Sequence, residues 1–175
     1  MIEIDLHPQL VATALELAED KPKLKNSIRD GDGWKIAMIS DLMVQQTLGG
    51  EIISHEDYNS DWKSNKGKRF EIKAKERTVR PKPSYNCTVY QFNTLQNCDY
   101  YLFTSILKDY SKGWILGYMN KKSFLNQSLS CKKGELDESS PAHKPYYYPA
   151  DCLNLQIGKL EYFNLNLVSD NVLTK

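Results

Sequence analysis

The sequence predicts a mixed α/β domain in which a central mixed β-sheet is flanked by helices. Two stretches near the N-terminus carry apolar residues at helical spacing. They are followed by segments of alternating or continuous apolar character, which are typical of strands. A chain of 175 residues is long enough to bury a real core. We therefore expect one domain over residues 1–175.

The first two elements are predicted helices. The stretch "HPQLVATALELAED" has apolar residues at helical spacing, and "WKIAMISDLMVQQTL" predicts a second helix that closes at Gly49 and Gly50. Between them, "KPKLKNSIRDGDG" predicts a polar connector because a proline and two glycines interrupt it. A strand then begins at "GEIIS" and leads into a hairpin.

The strands after the hairpin define the centre of the sheet. The near-continuous apolar run "CDYYLFTSIL" is suited to a central strand covered on both faces. The next strand is predicted at "KGWILGYM", after a turn. Before both of them, "CTVYQFNTLQN" fits either a strand or a helix.

The C-terminal third predicts less regular structure. A short helix is expected at "NKKSFLNQSL". Residues 128–148 are polar and rich in proline, which predicts a long loop. The tail "CLNLQIGKLEYFNLNLV" has apolar residues for one more element.

The composition is typical of a soluble globular protein. Its formal net charge is +1, with 41% hydrophobic and 26% charged residues. The apolar runs are too short to span a bilayer, and the acidic N-terminus lacks the basic and apolar regions of a signal peptide. We therefore predict a cytoplasmic protein without a membrane partner. Four cysteines without a C-x-x-C pair predict free thiols.

The stretch "DWKSNKGKRFEIKAK" predicts a hairpin with chemistry on one face. Gly67 can supply the positive φ of a tight turn, and the register then opposes Trp62 to Phe70 and Asp61 to Glu71. Side chains alternate along a strand, so Asp61, Glu71 and Lys73 share one face. Opposed Cβ atoms lie about 4.5–5.5 Å apart, where two carboxylates repel each other. A divalent cation between them would explain the arrangement.

These three side chains suit the hydrolysis of a phosphodiester. Mg²⁺ prefers carboxylate oxygens and can also hold a substrate phosphate. Lys73 lies on the same face as the two acids, where its ammonium could orient water for attack. The simpler interpretation is a surface hairpin whose Glu71 and Lys73 are merely solvated.

The order of Asp61, a turn and then Glu71-Ile72-Lys73 resembles the PD-(D/E)XK nuclease superfamily, which includes many restriction endonucleases and junction resolvases. The resemblance covers residues 34–119. It implies a restriction-endonuclease-like core and DNA cleavage with Mg²⁺, or with Mn²⁺ in its place. It also implies that Asp61, Glu71 and the Ile72 carbonyl hold the metal and that Lys73 acts on the water.

Three further positions follow from this resemblance. Asp41 matches an acid that many relatives carry on the preceding helix and would join the metal site. Gln91 could match a polar residue that some members bring to the site. Ser60 stands where the motif has proline, which leaves Asp57 as a rival first acid.

A basic segment overlaps the motif. Residues 61–83 hold nine basic and three acidic residues, a net charge of +6, so the rest of the chain carries −5. Such a patch on an acidic body is suited to a polyanion. The residues predicted to contact DNA are Lys66, Lys68, Arg69, Lys75, Arg77, Arg80 and Lys82. The last three are expected in a proline-rich segment beyond the strand, where recognition residues are common.

The sequence thus predicts a Mg²⁺-dependent endodeoxyribonuclease of restriction, homing or repair type. Its expected partners are double-stranded DNA and a second copy of the chain, because two active sites are usually needed to cut both strands. One alternative is a DNA-binding module with the same fold and no chemistry. Another is a protein-interaction domain that uses "KPYYY" and the apolar tail.

Overall fold

The protein is described from a computed structural model covering residues 1–19, 21, 33–53, 58–138, 140 and 142–163. Within these residues the chain forms a six-stranded mixed sheet, a second three-stranded sheet and three α-helices. This confirms the predicted fold of a central sheet flanked by helices. Most of the predicted connector, residues 22–32, and the rival acid Asp57 lie outside the described residues.

Strands and helices follow one another along the chain in a mixed order. The helices of the described part are α1 (Pro8–Glu19), α2 (Gly33–Leu48) and α3 (Lys121–Gln127). Its strands, in chain order, are β1 (Ile2–Asp5), β2 (Glu51–Ile52), β3 (Trp62–Lys63), β4 (Arg69–Arg77), β5 (Asn86–Tyr90), β6 (Tyr100–Leu107), β7 (Lys112–Asn120), β8 (Leu129–Cys131) and β9 (Cys152–Gln156).

The larger sheet has the strand order β1-β7-β6-β4-β3-β2. Its central strands β4 and β6 run parallel, and its other neighbouring pairs are antiparallel. The register aligns Phe70 with Tyr100, so the two central strands begin at the same edge of the sheet. The residues of the predicted site cluster near this edge.

Both faces of the larger sheet are covered. On one face, α1 and α2 pack on a core that includes Ile39, Met43, Trp62, Phe70 and Leu102. On the other face, α3 and β9 complete a core that includes Tyr101, Phe103, Trp114, Phe124 and Leu155. Residues 101–106 of β6 are all buried, which confirms the predicted central strand.

The end of α2 is tied to the hairpin. Gly49 and Gly50 end the helix with φ values of 70° and 78°, a conformation that favours glycine. The indole nitrogen of Trp62 donates a 2.9 Å hydrogen bond to the Gly49 carbonyl. A Cβ at position 50 would lie 2.5 Å from the Lys63 carbonyl oxygen. Glycine therefore lets the hairpin approach the end of α2 closely.

The C-terminal part is more ordered than the sequence predicts. The predicted loop over residues 128–148 contains β8, and its last residue, Tyr148, is buried. The prediction of a loop was wrong there because three residues of mixed polarity are too short to show a period. β8, β9 and β5 form the second sheet, in the order β5-β9-β8. The ambiguous segment is both a strand, β5, and a short 3₁₀ helix over Gln91–Leu95.

Two further features bear on the sequence analysis. The four cysteines are buried free thiols, as predicted. Within the described residues, none of the helices combines the length and the apolar character needed to cross a bilayer.

Candidate active site

The hairpin of β3 and β4 has the predicted turn and register. Trp62 pairs with Phe70, and Lys63 pairs with Arg69. Gly67 adopts a φ of 76°, the positive value that the tight turn requires. Trp62 and Phe70 face the core on the helix side, with ring centroids 4.9 Å apart. Because side chains alternate, Glu71 and Lys73 point to the other face, as expected.

Asp61 departs from the predicted pairing by one residue. Its amide donates to the carbonyl of Phe70 at 3.0 Å, so the ladder does not continue to a direct Asp61–Glu71 pair. Its carboxylate oxygen Oδ2 accepts the amide proton of Ile72 at 2.8 Å. That bond directs the Asp61 side chain at β4, immediately beside Glu71. The two predicted acids therefore do come together, through a side-chain contact with the backbone.

Glu71, Lys73 and Gln96 form a closed triangle of hydrogen bonds. Lys73 Nζ donates to Glu71 Oε1 at 2.7 Å and to Gln96 Oε1 at 3.0 Å. Gln96 Nε2 completes the triangle with a 2.7 Å bond to the same Glu71 oxygen. The side chains of Glu71 and Lys73 are only 6% and 14% exposed. In such a poorly hydrated site these charge-assisted bonds hold the lysine rigidly.

The second carboxylate oxygen of Glu71 is the unusual atom of the site. Glu71 Oε2 is buried and has no hydrogen-bond partner in the described structure. A buried acceptor without a donor costs free energy, which is why such atoms are rare in folded proteins. A carboxylate only accepts, so the Asp61 carboxyl can satisfy Oε2 only when a proton lies between them. A cation would satisfy it equally well.

The acids around this oxygen resist ionisation. Burial raises the pKa of Asp61 to about 7, and the negative charge of Glu71 adds to the shift. Burial also raises the pKa of Asp41 on α2 well above its usual range, with repulsion from Asp61 and Glu71 as the next causes. Asp61 and Asp41 are therefore electrostatically coupled to the negative charge of Glu71.

The donor set suits a hard divalent cation. Within the described part, no three His, Cys, Asp or Glu side chains already form a cage for a metal. Mg²⁺ does not need one, since it usually keeps several waters and takes one or two carboxylates. Asp61 Oδ1, Glu71 Oε2 and the Ile72 carbonyl oxygen are the atoms that this chain offers. The partnerless Glu71 oxygen is the observation that fits them to a cation.

Gln96 is the contact that sequence reasoning missed. Gln91, the predicted support, is exposed at the start of the 3₁₀ helix, where its backbone N–H donates to the backbone carbonyl of Asp151. Gln96 follows that helix and is buried, and Lys121 donates to its carbonyl oxygen. The position of Gln96 just before β6 could have indicated its place in the site. Parallel neighbours begin at one edge of a sheet, so polar residues ahead of β6 lie near the start of β4.

The predicted DNA-binding residues occupy different surroundings. Lys66 and Lys68 lie exposed at the hairpin turn, Lys75 is exposed on β4, and Arg80 and Lys82 are exposed beyond it. Arg80 pairs with Glu3 at 3.2 Å. These residues are thus spread from the turn to the far end of β4.

Two of the predicted DNA-binding arginines are anchored within the protein. Arg69 donates from Nε to Ser60 at 3.0 Å. Arg77, expected beyond the strand, is in fact the last residue of β4. Its guanidinium bonds to Ser105 at 3.0 Å and stacks over the ring of Tyr85. The sequence places Arg77 in a basic run but does not show this long-range contact with β6.

Comparison with known proteins leaves the family open. No protein-family model matches the chain, and the search of curated proteins finds no match. The resemblance to PD-(D/E)XK nucleases therefore stays a prediction. It is carried by the positions of Asp61, Glu71 and Lys73.

Proposed function

We propose that the chain is a Mg²⁺-dependent endodeoxyribonuclease that hydrolyses DNA phosphodiester bonds. The carrying observation is the buried, partnerless Oε2 of Glu71 beside the Asp61 carboxyl group. An arrangement that costs folding free energy is commonly retained because a site needs it. A cation between the two acids would remove that cost. Mn²⁺ has similar ligand preferences and is expected to replace Mg²⁺.

Each residue of the site has a defined task in this proposal. Asp61 and Glu71 hold the cation with the Ile72 carbonyl, and Asp41 adds negative charge from α2. When bound, the ion supplies positive charge against the scissile phosphate. Lys73 uses two of its three N–H donors on Glu71 and Gln96. The remaining donor can orient a water or a phosphate oxygen beside the ion.

Positive charge on the hairpin supports DNA as the substrate. Lys66 and Lys68 are exposed at the turn, and Lys82 is exposed beyond β4, so both ends of the motif carry cations. Lysines at such positions neutralise backbone phosphates. We further propose a homodimer in the cytoplasm, because two copies would bring one site to each strand of a duplex. Restriction, homing and repair remain the candidate roles.

The alternative is a DNA-binding module with this fold and no chemistry. The observation that favours it is the 2.7 Å ion pair of Lys73 with Glu71, in which the lysine balances the charge of the acid without a metal ion. The two proposals differ in what Mg²⁺ does. If the chain is only a DNA-binding module, Mg²⁺ neither promotes cleavage of DNA nor stabilises the protein.

Metal-dependent cleavage tests the proposal. The purified chain is incubated with supercoiled plasmid, linear duplex, branched and single-stranded DNA, in Mg²⁺, in Mn²⁺ and in EDTA. We expect nicked or linear products in both metals and intact DNA in EDTA. Discrete fragments would report a sequence preference. Intact DNA in both metals on every substrate, with a gel shift from folded protein, would support the binding module.

A further inference from the structure

A large cleft opens beside the candidate active site. It has a volume of about 1100 Å³ and lies between the larger sheet and the segment that precedes β9. Lys73 is one of its lining residues, so an occupant of the cleft would lie beside the candidate site. Pockets for single small ligands measure about 300–1,000 Å³. This cleft is slightly above the upper end of that range.

Aromatic rings from two segments of the chain line the cleft. In one segment, Tyr90 and the exposed Phe92 stack with an interplanar angle of 3° and ring centroids 5.8 Å apart. In the other segment lie Tyr146 and Tyr147, which are 45% and 56% exposed. Large rings exposed around one concavity commonly mark a binding site. The walls therefore suit flat, partly apolar groups.

Hydrogen bonds through Tyr58 connect the aromatic residues of the cleft to the candidate active site. Tyr58, which also lines the cleft and is 57% exposed, donates from its hydroxyl to the Phe92 carbonyl at 3.2 Å. Its own carbonyl accepts a 2.9 Å bond from Gln96, the residue that holds Lys73 and Glu71. The backbone of Tyr58 is thus two hydrogen bonds away from Glu71, the candidate catalytic acid.

The charge of the lining favours a polyanion. Lys73, Lys75 and Arg77 line the cleft, and Asp137 is the acidic residue among the lining side chains. Nucleic acid combines phosphates with flat bases. In a duplex the faces of the bases are stacked inside and only their edges are accessible. Rings can stack on bases only where the bases are unpaired.

We infer that this cleft binds an unpaired DNA strand, with bases stacked on the aromatic rings and the backbone passing Lys73. The inference deepens the proposed function, because it names as substrate a DNA with a single-stranded segment. It rests on that function only for the claim that the bound strand is cleaved. Binding itself is measured separately.

Binding in EDTA tests the cleft without cleavage. Fluorescence anisotropy is recorded with labelled oligothymidylate of about 12 nucleotides, within the site sizes of stacking proteins. Two further probes are an abasic strand of the same length and the corresponding duplex. We expect oligothymidylate to bind at least about tenfold more tightly than the abasic strand, since stacking supplies much of the affinity. Equal binding of the two strands would overturn the inference.

Substitutions of the aromatic residues test whether oligothymidylate binds in the cleft. Tyr147→Ala is expected to weaken oligothymidylate binding about tenfold, whereas Tyr147→Phe keeps the ring and the affinity. Tyr162→Ala is the matched control, because Tyr162 is 59% exposed and lies outside the cleft lining. Unchanged binding in a folded Tyr147→Ala and Phe92→Ala double variant would overturn the inference.

Cleavage in Mg²⁺ separates this inference from the proposed function. A duplex with an unpaired flap is expected to be cut faster than a blunt duplex. Cleavage of duplex DNA without base-dependent binding of single strands would overturn the inference and keep the nuclease. Base-dependent binding without any cleavage would support the cleft and overturn the nuclease.

Discussion

Glu71 and Gln96 are joined by a 2.7 Å hydrogen bond although 25 residues separate them in the chain. The bond exists because β4 and β6 are parallel neighbours, which brings the segment before β6 to the start of β4. Gln96 Oε1 also accepts a 3.0 Å hydrogen bond from Lys73 Nζ. Gln96 therefore orients both the Glu71 carboxylate and the Lys73 ammonium group. We regard Gln96 as the positioning residue of the site.

Replacement of Gln96 tests this role. Gln96→Ala frees Lys73 and Glu71 from one partner each and is expected to lower the cleavage rate about tenfold to a hundredfold. The rate should fall at saturating DNA, since the loss is in orientation and not in binding. Gln91→Ala is the control, because Gln91 is exposed at the start of the 3₁₀ helix. Equal rates for the two variants would contradict a positioning role, and Gln96→Glu should not restore the wild-type rate.

Asp61 connects the site to protein stability. Its pKa of about 7 lies above the value in an unfolded chain, so the folded state binds the extra proton between about pH 4 and pH 7. The free energy of unfolding therefore falls as pH rises through this window. Asp61→Asn removes the charge and keeps an oxygen for the Ile72 amide. We expect it to stabilise the metal-free protein by about 1 kcal/mol at pH 8, with a smaller gain at pH 4.

Chemical denaturation at the two pH values measures this effect. Mg²⁺ should stabilise the wild type and leave Asp61→Asn unchanged, since ligands stabilise only the state that binds them. Greater stability of the wild type than of Asp61→Asn in EDTA at pH 8 would refute the electrostatic coupling of these acids.

Gly50 sets the approach of α2 to the hairpin. A Cβ there would lie 2.5 Å from the Lys63 carbonyl oxygen and 2.7 Å from Trp62 Nε1, at a φ of 78°. Gly50→Ala is expected to cost about 3 kcal/mol or more, because backbone strain and a steric clash add. Gly67→Ala is the matched control, with a φ of 76° and no atom within 4 Å of the added carbon.

Thermal unfolding of the two glycine variants separates strain from clash. Gly67→Ala should cost only about 1–2 kcal/mol, the penalty of the left-handed conformation alone. A similar loss of stability in both variants would mean that α2 and the hairpin move apart enough to accommodate the added Cβ at position 50.

Arg77 and Lys82 are predicted to respond differently to replacement. Arg77 bonds to Ser105 and stacks on Tyr85, so Arg77→Ala should destabilise the fold by about 1–3 kcal/mol. Lys82 is exposed, so Lys82→Ala should leave stability unchanged and weaken DNA binding. The slope of log affinity against log salt should decrease by about one for Lys82→Ala. An unchanged slope would remove Lys82 from the DNA interface.

Local patterns allowed part of the site to be predicted from the sequence. Strict alternation around Gly67 defined the hairpin register, and it separated Trp62 and Phe70 from Glu71 and Lys73. Such features depend on neighbours within about ten residues. The turn and the two faces could therefore be predicted without knowledge of the fold.

Contacts between distant segments could not be predicted in the same way. Gln96 meets Glu71 only because β4 pairs with β6 in parallel, and no local pattern encodes that pairing. Tyr146 and Tyr147 of the cleft lie in a segment predicted as loop, and Phe92 lies in a 3₁₀ helix that was predicted only as an ambiguous element. Strand β8 is three residues long, which is too short for periodicity to show.

Plasmid cleavage by Glu71→Gln tests whether Glu71 holds the metal ion needed for cleavage. The substitution keeps the shape of the side chain and removes the charge that would hold the cation. Glu76→Gln, on the same strand, is the control. In Mg²⁺ we expect the wild type and Glu76→Gln to cut at similar rates and Glu71→Gln to lose at least about a hundredfold. Wild-type cleavage by a folded Glu71→Gln protein would contradict the assignment of Glu71 to the metal site.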